Sequence, residues 1–293
     1  MKRLEVLKTY KIYIGGKFPR TESGRYYTPL NKKGEQLASV SQSSRKDVRN
    51  AVVAARKAFG GWSERAAFNR GQILYRIAEI LEGRKLQFIE ELIFQGSSKS
   101  NAEKEVNVSI DRFIYYAGWC DKYSQILGSV NPVASSHFNF SVPEATGVVG
   151  VITDQTSSLI GLVSLVAPII AGGNTCIVLA SESKPLCAIT FAEVLNSSDV
   201  PDGVVNILTG SQEEMIEPLT THMDVNAMSY SGTSKNFEKQ LKESSALNLK
   251  RVSIYSKDWI KSDNQDLYMI ADFQEIKTTW HPIENIGGSS SFY

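Results

Sequence analysis

The stretch "GVVGVITDQTSSLIGLVSLVAPIIAGGNTCIVLAS", residues 147–181, decides the fold. Two short apolar runs, "GVVGVIT" and "NTCIVLAS", flank a longer one, "LIGLVSLVAPIIAGG" at 159–173, that contains Pro168. The outer runs have strand length and β-branched content, and the middle one has helix length. That middle run is shorter than the roughly 20 residues a membrane span needs, so it reads as a buried core helix. The pattern then repeats through "PLCAITFAEVLN", "GVVNILTG", "EEMIEPLTTH", "VNAMSYSG", "KNFEKQLKESS" and "LKRVSIYS". Strand-like and helix-like runs in strict alternation predict an α/β chain with a parallel, doubly wound sheet. Near-continuous apolar strands such as "CIVLA" are expected where helices cover both faces, and ligands of such sheets bind beyond the strand carboxyl ends.

The chain before this stretch is mainly helical. In "SSRKDVRNAVVAARKAFGGW" Ser44 stands three residues before Asp47, a capping-box spacing. Val48, Val52, Ala55 and Phe59 then share a face, so the spacing predicts an amphipathic helix stopped at Gly60-Gly61. Helical periodicity returns from Phe68 to Leu92 and from Glu103 to Leu127. "KIYIGGKF" predicts two short strands around a tight Gly15-Gly16 turn. In "SSHFNFSVPE" Phe138, Phe140 and Val142 alternate with His137, Asn139 and Ser141, which predicts a half-exposed strand with His137 on its polar face. After residue 262 comes "EIKTTWHP", with Ile276, Thr278 and Trp280 on one strand face and Lys277, Thr279 and His281 on the other. His281 is read there as structural.

Composition excludes several classes. With 293 residues, 42% hydrophobic, and Lys+Arg 32 against Asp+Glu 31, the chain has no electrostatic bias toward nucleic acid or an anionic membrane. Three scattered cysteines, Cys120, Cys176 and Cys187, form no metal or redox motif and fit reduced thiols in the cytoplasm. The first residues lack the apolar core and cleavage site of a signal peptide. No Walker, HExxH or GxSxG motif suggests a chemistry.

Read in order, "YIGGKF", "DVRNAVVAARKAFGGWSE", "NRGQILYRIAEILEGR", "FIYYAGWCDK", "ATGVVGVIT", "APIIAGGNTCIVLA", "PDGVVNILTG", "SYSGTS" and "LKRVSIYS" resemble the aldehyde dehydrogenase superfamily over about residues 10 to 258. "FQEIKTTWHP" resembles that family's terminal oligomerisation strand. The resemblance implies a Rossmann-like domain with its N-terminal helices over 1–127 and 147–262. It also implies an oligomerisation element, a long hairpin and a C-terminal strand, over 128–146 and 267–286, and a flexible tail over 287–293. In the family a catalytic domain separates these parts; here almost nothing does, so that domain is read as absent.

The residues the family uses are also missing by position. Its nucleophilic cysteine belongs to the absent domain. The place of its oxyanion asparagine reads Asp154-Gln155-Thr156, and its general-base glutamate falls on Tyr255, a phenol with an ordinary pKa of about 10. Its ribose-binding Lys-Pro-x-Glu is replaced by Ala180-Ser181-Glu182-Ser183; Glu182 is displaced by one place, which leaves a rescued ribose contact open, and Lys184 compensates only if the loop differs. Gly210 is followed by Ser211, Gln212, Glu213 and Glu214, whose charges oppose a phosphate. In "SGTS", Gly232 and Thr233 either offer N–H groups to an anion or form a plain strand-to-helix turn capped by Thr233 or Ser234. Gly210, Gly232 and Thr233 are thus the vestigial cofactor residues; no cofactor is expected, and NAD(P) is disfavoured. Three readings follow: a non-catalytic protein acting through assembly with itself or a full-length aldehyde dehydrogenase, resembling the second module of two-module members; an NAD(P)-binding part whose catalytic domain comes from another chain; and a nucleotide or small-anion sensor that uses the sheet's carboxyl end with "SGTS".

Overall fold

The computed structural model describes residues 8–31 and 34–283; the tail read over 287–293 and the ends of the two outer segments, 1–7 and 284–286, lie outside the described residues. Strands β1 (Thr9–Tyr10), β2 (Tyr26–Tyr27) and β3 (Ser39–Ser41) form a small sheet in the order β1-β3-β2. Gly15 and Gly16 both take positive φ, 56° and 75°, which a tight primed turn requires. The strands expected on either side reduce to single bridges, Ile14 with Lys17 and Tyr13 with Ile207.

Five helices follow: α1 (Arg45–Ser63), α2 (Ala67–Gly83), α3 (Lys85–Phe94), α4 (Lys99–Trp119) and α5 (Tyr123–Leu127). At the start of α1 the Asp47 carboxylate accepts from the Ser44 backbone N–H at 2.7 Å, as the capping spacing predicts. The helix does not stop at Gly60-Gly61. Trp62 is buried, and its indole Nε1 donates to the Ile170 carbonyl at 3.0 Å, so tertiary packing offsets the roughly 1 kcal/mol that each helical glycine costs. The long helical runs read at 68–92 and 103–127 each break once, at Arg84 and around Cys120.

Strands β4 (Ser129–Asn131) and β5 (His137–Ala145) lead into the alternating region: β6 (Val148–Ile152), α6 (Ile160–Ala171), β7 (Thr175–Leu179), α7 (Leu186–Asn196), β8 (Val205–Leu208), α8 (Gln212–Thr220), β9 (Ala227–Ser231), α9 (Lys235–Ala246) and β10 (Arg251–Tyr255). After a short 3-10 turn the chain ends in α10 (Tyr268–Ala271) and β11 (Gln274–Pro282). The central sheet has the order β10-β9-β6-β7-β8, all parallel. This is the doubly wound, Rossmann-like α/β arrangement. Every residue of α6 is buried, Pro168 included, and among the described residues no helix is long and apolar enough to cross a membrane. Alternate strand residues feed two cores: Val149 and Val151 face the side that α6 and α7 cover, while Val148 and Ile152 pack with Val48 of α1 and Leu219 of α8.

A separate antiparallel sheet, in the order β11-β5-β4, stands beside this core. The register of β11 on β5 runs unbroken from Gln274 opposite Ala145 to Pro282 opposite His137. One expectation for β5 is inverted. Asn139, Ser141 and Pro143 are the buried residues, whereas Phe138, Phe140 and Val142 point to the more open side. The physical reason is a polar ladder across the three strands: Asn131 Nδ2 donates to Asn139 Oδ1 at 2.6 Å and to Ser141 Oγ at 2.9 Å, and Ser141 Oγ meets Thr278 Oγ1 at 2.8 Å.

Candidate functional site at the carboxyl end of the sheet

The chain enters the central sheet at β6, adds β7 and β8 on one side and then β9 and β10 on the other, so the winding reverses between β6 and β9. A cleft of about 540 Å³ lies there, at the position where ligands of doubly wound folds bind. Its walls are the segments that follow β6, β9 and β10, and Gln212 of α8 also lines it.

The thiols are not at this cleft. Cys120, Cys176 and Cys187 are all buried and unpaired. Burial pushes the Cys120 thiol up to about 12 and drives Cys176 and Cys187 up as well, so none offers a thiolate near neutral pH. Tyr255 lines the cleft, but its hydroxyl donates to Asp272. Burial first, and then the Asp272 charge, raise its pKa far above the ordinary phenol range, so it cannot act as a base near neutral pH.

The sequence candidates are split by the fold. Gly232 and Thr233 line the cleft and Gly210 does not. Gly210, at φ 133°, turns toward the β3–α1 connection, where an added Cβ would stand 3.0 Å from the Ser43 nitrogen. The Gly232 N–H extends the parallel ladder to the Tyr255 carbonyl at 3.1 Å and so is not free for an anion. The cap of α9 is Ser234, whose side chain accepts from the Phe237 N–H, and Thr233 stays exposed at the rim. Of the two readings of "SGTS", the turn describes this geometry.

Gln155, Glu182 and Lys184, read from sequence only as replaced or displaced family positions, hold the cleft together with Glu105, which the sequence reading passed over. Gln155 Oε1 accepts from the backbone N–H groups of Glu182 and Ser183 at 3.0 and 3.1 Å and from Ser181 Oγ at 3.3 Å. Glu182 Oε2 in turn accepts from the Gln212 N–H at 3.3 Å, at the start of α8. The Lys184 amine donates to the Thr156 carbonyl. Glu105 of α4 accepts from the Ser158, Leu159 and Ile160 N–H groups at 3.2, 2.9 and 3.2 Å, which caps α6. The segment between β10 and α10 closes the far side: Trp259 Nε1 donates to Ser231 Oγ at 3.0 Å, and its carbonyl accepts from Arg112 at 2.7 Å. A lone Gln in a loop and a Glu inside a helix carry no local signal for such roles. Their partners lie 26 to 55 residues away in sequence.

These residues do not fit a dinucleotide. The N–H groups at the start of α6 and in the 181–184 loop are taken, and the carboxylates of Glu105 and Glu182 occupy donors that phosphate oxygens would need.

The sequence profile of the Aldehyde dehydrogenase family matches residues 19–255. DhaS of Bacillus subtilis (strain 168) is 33% identical over 260 residues, 86% of this chain and 52% of its own length. Cytosolic 10-formyltetrahydrofolate dehydrogenase of Mus musculus is 33% identical over 263 residues, 87% of this chain and 29% of its own. Among solved structures, an aldehyde dehydrogenase from Bacillus cereus in complex with NAD+ superposes with a TM-score of 0.80 at 26% identity, over 84% of this chain and 50% of that one. HpcC from Thermus thermophilus gives 0.81 at 28% identity, over 84% and 48%. The chain thus spans about half the length, or less, of the relatives it matches. By sequence and by fold, it belongs to the aldehyde dehydrogenase family.

Proposed function

We propose that this chain is a non-catalytic member of the family that acts in the cytoplasm by association, with itself or with a full-length aldehyde dehydrogenase. The observation that carries the reading is the exposed side of the β11-β5-β4 sheet. Phe138 and Val130 are 46% and 67% exposed on it, with Phe140 opposite Val130 and Val142 on the same side, and the outer edge of β11 has no partner strand among the described residues. An apolar face beside an open edge is an aggregation liability in a lone monomer and an asset in an assembly. The buried thiols and the bound Tyr255 hydroxyl support the non-catalytic part, because among the described residues no cysteine lines the cleft and the Tyr255 phenol is no base near neutral pH.

Size-exclusion chromatography with light scattering tests the association. The expected result is a mass of two or more chains, or co-elution with a co-expressed full-length aldehyde dehydrogenase from the same source. The variant Phe138→Glu with Val130→Glu shifts the elution to a single chain. A well-behaved monomer that retains no such enzyme sinks the reading.

A further inference from the structure

Four loops meet at the carboxyl end of the central sheet, and the chain's own oxygens take up donors on each of them. The start of α6 spends three N–H groups on Glu105. The 181–184 loop directs the Glu182 and Ser183 N–H groups and the Ser181 hydroxyl at one oxygen, Gln155 Oε1. The Ser183 hydroxyl donates to the Gln155 backbone carbonyl at 2.9 Å, so the loop is tied to Gln155 at two acceptors. The start of α8 gives its Gln212 N–H to Glu182, and the Gln212 side chain reaches back to the Thr153 carbonyl at 2.8 Å. The start of α9 is capped by Ser234. The cations are engaged as well: Lys184 on the Thr156 carbonyl and Lys257 on Asp266 at 3.1 Å.

A pyrophosphate bound at such a sheet end needs free N–H groups that converge on it. Here the converging groups exist, but the chain fills them with its own oxygens. We infer that the cleft is locked against dinucleotides from within, with Gln155 as the latch on the 181–184 loop and Glu182 as the second tie, to α8. The consequence goes beyond the association reading and does not depend on it: this chain carries no NAD(P), whether alone, in a homo-oligomer or beside a full-length enzyme.

Isothermal titration calorimetry of the full chain with NAD+, NADP+ and inorganic phosphate tests the lock, on the wild type and on Gln155→Ala. Wild type gives no binding heat with either dinucleotide up to about 1 mM. Gln155→Ala frees two N–H groups and a hydroxyl that already converge, so its phosphate affinity rises by about tenfold or more over wild type. If the alanine variant does not fold by circular dichroism, Gln155→Asn, one methylene shorter, replaces it with the same expectation. Micromolar binding of either dinucleotide to wild type overturns the inference. So does a folded variant whose phosphate affinity is unchanged. Neither result bears on the oligomeric mass, so failure here is separable from failure of the association reading.

Discussion

Lys250 illustrates how much a single buried side chain sets. It is buried at the amino end of β10, where its amine donates to the carbonyls of His222 and Val225, and burial pulls its pKa down to about 8, with Asp224 partly opposing. A lysine depressed in the folded state binds fewer protons than the unfolded chain between about pH 8 and its ordinary value near 10.4. Its contribution to stability therefore rises as pH rises through that window, and the penalty is fully present below it. The buried thiols act in the opposite sense: their folded pKa values lie above the unfolded one, so their contribution falls as pH rises past about 8.5. Denaturation midpoints of wild type and Lys250→Met from pH 7 to 10 separate the two, because the thiols are common to both. The expected difference curve climbs with pH in favour of wild type; a flat difference contradicts the depressed lysine. At this scale the sequence reading picks out Tyr255, which does line the cleft, but it does not foresee what Gln155 and Glu105 do, since their roles come from backbone N–H groups far along the chain.

Elements show where local pattern and tertiary context part. The apolar strands and α6 were legible because period and length leave little choice when both faces are covered. The run of α1 through Gly60-Gly61 was not, because Trp62 is held by a carbonyl of α6. The facing of β5 was not legible either. Alternation assigns two faces and does not say which one is buried, and the ladder through Asn131, Asn139, Ser141 and Thr278 reverses the usual choice. The placement of α6 depends on Glu105 in the same way. Its single carboxylate oxygen serves three N–H groups in a buried setting, so Glu105→Ala leaves orphaned donors next to a helix that is buried throughout. Unsatisfied buried donors cost about 1–3 kcal/mol each, and solvent entering the gap relieves part of that; a loss of about 3 kcal/mol is expected from urea unfolding. Glu105→Gln keeps one acceptor oxygen and loses the charge, so it falls between the two. Equal stability of the alanine variant and wild type rules out the cap.

At the scale of the whole molecule, the two larger sheets are unequal in what protects them. Strands β6, β7, β8 and β9 are buried throughout and lie between covering helices, so their amides open only with the core. The β11-β5-β4 sheet has three strands, an open edge at β11, and a face whose largest side chains meet solvent; Trp280 and Ile276 on the opposite face are 56% and 59% exposed. Three strands with so little covered apolar surface sit near the limit of independent stability. Its ties to the core come from the start of β11, where Gln274 donates to the Gly172 carbonyl at 3.0 Å and Phe273 packs in the main core. Hydrogen exchange on a dilute sample should therefore resolve two classes. Amides from Lys277 to His281, and those of the β5 residues opposite them, are expected to exchange at least about a hundredfold faster than those of β6 and β7. If association covers this sheet, raising the protein concentration, or adding the full-length enzyme, slows the fast class and leaves the slow one unchanged, since a partner that binds the folded sheet shifts only its opening equilibrium. Protection that is uniform across both sheets in the dilute chain, or a fast class indifferent to concentration and partner alike, places the interface elsewhere on the molecule.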